Sequence, residues 1–462
     1  MKIIRPTKLL LIALFLALPF TALADGVDEF VRAQMAERHI PGVAVAVLKN
    51  GKVVKEKGYG VASLEFNVPV TPATAFEIGS VSKQMTAAGI MLLVEDGKID
   101  LDEHISKYLL DTPDAWKDVT VRHLLTHTSG VKSYTSLDGF GLIKRMKAAD
   151  FIKALSPYPL EFTPGEKNIY SNSGFSLLAY IIESVAGKPY MDFMQERVFR
   201  PLGMVTATDR DPLLIIPNRA VGYEWASDHY TGRSWDLTDL KGAGTIVCTV
   251  RDLIKWDQAL RGSTFLKPSS RAEIWKNYIF NDGKPSPYGF GWRLSDIRGH
   301  RLIGHTGQTA GFSSANFRFV DDGVDVIILT DQGQSPTTAM ATAIAKMYVP
   351  AMSIRAMKEV AGEQWLTDLV RKAFRQRADN HLSEDVFTAE QVRALSSERA
   401  KEGNLIIAAA GPIKALTLVG SQDEIGTKTY LYRAETQHGA SLWRVAATPD
   451  RRISAMTVEE RE

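Results

Sequence analysis

The sequence predicts an α+β protein whose main domain is an antiparallel β-sheet flanked by helices, with a helical lobe inserted in the chain between its strands. Three observations predict it. Strand-like runs flank Asn50-Gly51 near the N-terminus, and three more lie between about 300 and 330. The stretch between them, from about Ser80 to Trp292, is dominated by helical spacing of apolar residues. The last hundred or so residues differ in pattern and predict a small C-terminal α+β domain. The expected organisation is therefore 1–24, 25–350 and 351–462.

Residues 26–40 (GVDEFVRAQMAERHI) carry apolar side chains at helical spacing. GVAVAVLKNGKVVKEKGYGVAS reads as a hairpin, because Asn-Gly readily takes the positive φ values that a tight two-residue turn requires. VSKQMTAAGIMLLVEDG, FSLLAYIIESVAG and VRDLIKWDQALRG read as helices, the last two closing at a capping glycine. HRLIGH, SSANFRFV and VDVIILT read as strands, with Asp321-Asp322-Gly323 turning between the last two. SPTTAMATAIAKMYV is a helix stopped by Pro350. Beyond it, SIRAMKEVAGEQWLTDLVRKAFRQ predicts a polar helix, its Arg/Lys run forming a solvated face. ALTLVG, TKTYLYRAE, ASLWRVAA and RISAMTV predict an antiparallel meander.

Composition narrows the function classes. Of 462 residues, 45% are hydrophobic and 23% charged, which is ordinary for a globular protein. The 55 basic and 53 acidic residues nearly balance, and nothing in that balance supports nucleic-acid binding. A single cysteine, Cys248, excludes an intramolecular disulfide, a cysteine-based zinc site and an iron–sulfur cluster, and is expected to be a small buried hydrophobe. The N-terminus reads as an export signal. MKIIRPTK is basic, LLLIALFLALPFTALA is apolar, and Ala22-Leu23-Ala24 is a small-x-small cleavage pattern before Asp25. Pro19 and the short apolar run argue against a retained anchor, since a span needs ~20 apolar residues. The expected location is periplasmic or extracellular, with no stable membrane span after cleavage.

Three short motifs carry chemistry. Ser80 and Lys83 lie three apart at the start of the first strong helix and so share a face. Ser80 would sit near the helix N-terminus, where free N–H groups stabilise developing negative charge. Lys83, on an apolar helix, would be pushed toward its neutral form. Ser82 has no lysine three residues on and is the poorer candidate. Tyr170 and Asn172 precede a second helix, and a phenol can move a proton while an amide can hold a carbonyl. Gly304-His305-Thr306-Gly307-Gln308 ends a strand, where glycines would let a substrate approach the backbone and an edge could offer N–H groups to an oxyanion. Each motif alone is as well explained by a helix cap, a buried tyrosine or a turn.

Together, in this order, Ser-x-x-Lys, Tyr-x-Asn and a basic-Thr-Gly triplet resemble the motif set of penicillin-recognising serine enzymes. FEIGSVSKQMTA, LLTHTSGV, YSNSGFSLLAYIIE, GAGTIVCTVRDLIKW, YGFGW and GHTGQTAGF extend the likeness over about residues 26–349. It is nearest to the class C β-lactamase branch, which also holds DD-peptidases, D-aminopeptidases and secreted esterases. The resemblance implies a sheet packed by the terminal helices, a helical lobe opposite and the site between them. It implies Ser80 as nucleophile, Lys83 as base or proton relay, and Tyr170 as base and as acid to the leaving group. Asn172 would bind the acyl-side carbonyl. The N–H groups of Ser80 and Gln308 would form the oxyanion hole, and His305, Thr306 and Gly307 would line the substrate subsite. No cofactor or metal is implied; the partner is a small-molecule or peptide substrate.

One departure stands out. Most β-lactamases of this type have lysine where this chain has His305, and a histidine is only partly charged near neutral pH. If His305 anchors a substrate carboxylate, it must do so as the imidazolium. His123 and His127, four apart, lack a third metal ligand and are expected to be structural. Trp292 is expected to pack, and no Gly-x-Ser-x-Gly elbow surrounds Ser80. Three functions stay open at this point: a hydrolase of a peptide, lactam or ester; a penicillin-binding module that acylates with little turnover and acts as sensor or scaffold; and a binding protein acting through 351–462.

Overall fold

The structure is a computed structural model describing residues 20–137, 146–211, 213–233, 239–424 and 427–462. The body of the expected export signal, residues 1–19, lies outside the described residues. The chain divides into two compact units, one ending at Tyr348 and the other spanning Val349–Glu462.

The first unit opens with α1 (Phe20–Arg38), followed by β1 (Gly42–Lys49) and β2 (Lys52–Ser63). Asn50 and Gly51 have φ of 51° and 76°, the left-handed pair that a type I′ hairpin turn demands. After β3 (Val68–Pro69) and β4 (Ala75–Glu77) the helical lobe begins with α2 (Ser82–Glu95), α3 (Val121–Leu125), α4 (Ala148–Leu155), α5 (Asn172–Ala186) and α6 (Tyr190–Met194). It continues through β5 (Thr208–Asp209), β6 (Tyr223–Ala226), β7 (His229–Gly232), β8 (Ile246–Thr249), α7 (Val250–Arg261) and α8 (Pro268–Ile274). The chain then returns to the sheet as β9 (Arg293–Ile297), β10 (His300–Thr309), β11 (Phe312–Phe319) and β12 (Val324–Thr330), and closes on α9 (Thr337–Tyr348).

The main sheet has the order β3-β2-β1-β12-β11-β10-β9. Strand β1 pairs antiparallel with β12, Val45 opposite Ile328, so the two ends of the unit meet at the sheet centre. Both strands are apolar along nearly their whole length and buried on both faces, the pattern of central strands covered on each side. Helices α1 and α9 pack on each other, with Val27 and Val31 of α1 fully buried.

Helix α2 is buried at every position from Ser82 to Leu93, which makes it the spine of the lobe. Helix α5 starts at the Ser171 cap, whose side chain accepts the Gly174 N–H, and ends at Gly187 with φ 66°. The expected second glycine cap takes another form. Gly262 ends α7 in an extended conformation, φ −75° and ψ 177°, while Thr249 and Asp252 form a capping box at its start.

In the second unit the expected long polar helix is shorter. Helix α10 covers only Gln364–Ala378; before it the chain makes a short 3₁₀ turn at Ile354–Ala356, and Val360 N–H donates to Leu418 O. That backbone bond holds the segment extended and out of the helix. Helices α11 (Ala389–Leu395) and α12 (Glu398–Ala409) precede a meander of β13 (Ala415–Glu424), β14 (Thr427–Glu435), β15 (Ala440–Ala447) and β16 (Ile453–Arg461). Its core gathers Phe374, Phe387, Tyr432, Trp443 and Val445.

Candidate active site

Ser80 sits in a 3₁₀ turn, Gly79–Val81, that runs directly into α2. Two bonds anchor the turn from below: Ile78 N–H donates to Ile246 O at 3.0 Å, and Ser314 Oγ donates to Ile78 O at 2.8 Å. Gly79 has φ +50°, and a Cβ there would lie 2.6 Å from the Gln308 amide nitrogen. Only glycine lets the backbone beside Ser80 come this close to Gln308. At Gly307 a Cβ would lie 1.9 Å from Ile78 O. Gly307 lines the cleft and also lets β10 lie against the segment that carries Ser80. Ser82 is buried, its Oγ accepting the Ile246 N–H at 3.2 Å, which gives it a structural task.

Strand β9 pairs with β10 only as far as Gly304. From His305 to Thr309 no strand among the described residues pairs with β10 on that side, and this edge lines the cleft. The cleft is a cavity of about 720 Å³ lined by Ser80, Tyr170, Arg293, His305, Thr306 and Gln308, and beyond them by the start of α9.

Lys83 has no exposed surface. Its Nζ lies 3.1 Å from Ser80 Oγ, 2.8 Å from Asn172 Oδ1 and 2.7 Å from Ala243 O. Burial, with the charge of Arg293 added, holds its pKa well below the usual lysine value. In the neutral amine two N–H groups serve Asn172 and Ala243, and the lone pair is left for the Ser80 hydroxyl. Asn172 is thus engaged with Lys83 first, and its Nδ2 donates to Thr135 Oγ1 at 3.1 Å.

The Tyr170 hydroxyl is buried without a hydrogen-bond partner among the described residues, and Lys83 Nζ lies 4.7 Å from its ring centre. Burial drives the phenol pKa upward, the Ser80 side chain opposing it. The phenol is therefore protonated at neutral pH.

His305 departs from expectation. It is buried, its Nδ1 lies 2.5 Å from Thr306 O and its Nε2 2.8 Å from Tyr288 OH. A carbonyl only accepts, so Nδ1 carries the proton and Nε2 accepts from the tyrosine. Burial first, then the Lys83 charge, pull its pKa to about 3. Desolvation therefore disfavours an imidazolium near neutral pH. The cation that faces the cleft is Arg293 at the start of β9, which forms no ion pair among the described residues. Sequence reasoning missed it, because no local pattern connects Arg293 to Ser80.

The remaining predicted residues find other places. His123 Nδ1 accepts the Thr120 N–H within the capping box of α3, and His127 packs under Tyr170. Trp292 is buried edge-on to Trp275, and Cys248 is buried in β8.

An antiparallel sheet, a helical lobe and a serine–lysine pair between them define a class of serine hydrolases. The sequence pattern of the beta-lactamase family matches residues 27–348, and the chain belongs to that family. A penicillin-binding protein of Bacillus subtilis (strain 168) is 31% identical over 320 residues, 64% of this chain and 70% of the relative. The D-aminopeptidase of Brucella ovis is 29% identical over 337 residues, 71% of this chain and 64% of that enzyme's length. Among solved structures, the octameric penicillin-binding protein homologue from Pyrococcus abyssi shares the fold (TM-score 0.63, 22% identity, 90% of this chain and 97% of that one). The D-amino acid amidase from Ochrobactrum anthropi SV3 aligns at TM-score 0.58 and 26% identity over 71% of this chain and 98% of that one.

Proposed function

We propose that the protein is an exported serine amidohydrolase that forms an acyl-enzyme at Ser80, acting on substrates that bear a carboxylate near the scissile amide: a D-Ala-D-Ala peptide end or a β-lactam. The observation that carries this reading is the charge of the cleft. Arg293 lines it without a counter-ion, and no Asp or Glu is among its described lining residues. An aminopeptidase has to hold a substrate ammonium, and the described lining residues offer no carboxylate for one.

In the proposed reaction, neutral Lys83 takes the Ser80 proton as Oγ attacks the carbonyl carbon. The oxyanion forms against the N–H groups of Ser80 and Gln308. The amide C–N bond then breaks, and the leaving nitrogen takes a proton from the Tyr170 hydroxyl, which Lys83 replenishes. Water repeats the sequence on the acyl-enzyme and frees Ser80. The raised phenol pKa supports Tyr170 as a donor and leaves Lys83 as the first base. His305, neutral, holds Tyr288, and Thr306 and Gly307 form the floor beneath the substrate. Export rests on residues 1–24 of the sequence alone, with no helix among the described residues long and apolar enough to cross a membrane.

The test is turnover of nitrocefin, an N-acetylated peptide ending in D-Ala-D-Ala, a D-phenylalanine amide and a nitrophenyl ester, with intact-mass detection of the adduct and Ser80→Ala as control. Turnover of the first two above the amide supports the reading. Preference for the free-amine amide overturns it in favour of an aminopeptidase. A stoichiometric adduct with no turnover favours a sensor.

A further inference from the structure

We propose that His127 is the residue that positions Tyr170, gripping its backbone on both sides so that the phenol faces Ser80. The inference rests on the reading of Tyr170 as proton donor given above.

Tyr170 belongs to a segment, 166–171, without regular secondary structure. Its neighbours are held by one residue. The Ile169 N–H donates to the His127 carbonyl at 3.1 Å, and the Ser171 N–H donates to His127 Nδ1 at 3.2 Å. The imidazole lies against the phenol, ring centres 4.3 Å apart, and is backed by Tyr288 at 4.6 Å and Phe175 at 5.1 Å. The flanking contacts continue the grip: Asn168 Nδ2 donates to Thr126 O at 2.7 Å and Gly165 N–H to Thr128 O at 2.8 Å.

Two features show that this histidine is more than filler. His127 adopts φ 58°, a left-handed conformation that is costly for a residue with a side chain. Its Nε2 is buried without a partner among the described residues. A phenylalanine would fill the space without leaving a polar atom stranded. The imidazole's distinctive service is Nδ1, which can accept the Ser171 N–H only while unprotonated. Burial is the first cause that holds it in that state, and the Arg293 charge adds to it.

The experiment compares His127→Phe, His127→Asn, His127→Gln, Tyr170→Phe and the double variant His127→Phe/Tyr170→Phe in full-length protein. It measures single-turnover acylation by nitrocefin, steady-state KM and thermal midpoint. Asn carries an acceptor at the Nδ1 position and tolerates positive φ; Gln carries it one bond too far out. Expected is a ~10- to 100-fold slower acylation in His127→Phe and His127→Gln with little change in KM, and substantial recovery in His127→Asn. The double variant should acylate no more slowly than Tyr170→Phe, because both changes act at one step. Three results overturn the proposal: additive losses, His127→Asn falling with His127→Phe in step with thermal midpoint, or His127→Phe at the wild-type rate. Tyr170→Phe at the wild-type rate would instead sink the Tyr170 assignment itself, and the positioning role with it. Should His127→Phe fail to fold, the contrast between Asn and Gln still decides the matter.

Discussion

Arg293→Gln separates two effects of one charge. The first is direct. A charge-assisted hydrogen bond contributes about 1.5–3 kcal/mol when sheltered. Arg293 is exposed, so solvent screening reduces this to about 1–2 kcal/mol. That corresponds to a ~5- to 30-fold loss of kcat/KM on a peptide ending in a free D-alanine carboxylate. The same peptide with a C-terminal amide should lose little. The second effect acts through Lys83. The Arg293 charge is the second cause, after burial, that lowers the Lys83 pKa. Below that pKa the amine is protonated and cannot take the Ser80 proton, so acylation rises as pH rises through it. Removing the positive charge raises the Lys83 pKa and moves the acid limb of kcat/KM to higher pH, for both substrates alike. The assay is kcat/KM from pH 5 to 10 on the matched acid and amide peptides. Equal loss on the two peptides would refute Arg293 as the carboxylate partner. An acid limb that stays in place or moves to lower pH would refute the electrostatic link to Lys83.

Lys83→Met should slow acylation ~10²- to 10⁴-fold, the usual loss on removing a general base. The thermal midpoint should change little, because the cost of burying the amine is relieved while the Asn172 and Ala243 oxygens lose a donor. A midpoint that falls with activity would show that the amine is structural. Gly79→Ala puts a Cβ 2.6 Å from the Gln308 nitrogen in a left-handed turn. It should cost ~10²- to 10³-fold in acylation by spoiling the oxyanion geometry, read as single-turnover rate with circular dichroism as the folding control. Asp331 is buried, its Oδ1 accepting the Gly42 N–H at 2.7 Å and its Oδ2 unpartnered among the described residues. Burial raises its folded pKa well above 3.8. The unfolded chain releases that proton first, so this contribution to stability is complete below ~4 and is lost as pH climbs to the folded pKa. Asp331→Asn keeps the acceptor and should flatten thermal midpoint against pH above ~4. An unchanged slope would assign the pH dependence elsewhere.

Local rules made much of this protein legible. The I′ turn at Asn50-Gly51 and the predominantly apolar strands Gly42–Lys49 and Val324–Thr330 follow from residue type and period alone. So does the meeting of Ser80 and Lys83, since residues three apart near a helix start must share a face. Longer-range consequences were decided by tertiary packing. The sequence places a lysine beside a serine; only the carbonyl of Ala243 and the amide of Asn172, closing over it from distant segments, occupy its other hydrogens and exclude water. His305 looks half-charged in the sequence and is neutral in the fold, because Tyr288 and the strand beneath it remove the solvent an imidazolium needs. Arg293 has no motif around it and enters the cleft because β9 stops pairing with β10 at Gly304. The helix expected from residue 353 waits until Gln364, since Val360 donates its backbone hydrogen to Leu418 O. Periodicity and turn chemistry act over a few residues, so sequence alone determined the elements and the order of the motifs. Desolvation and charge depend on which segments close over a group, and that only the tertiary structure decided.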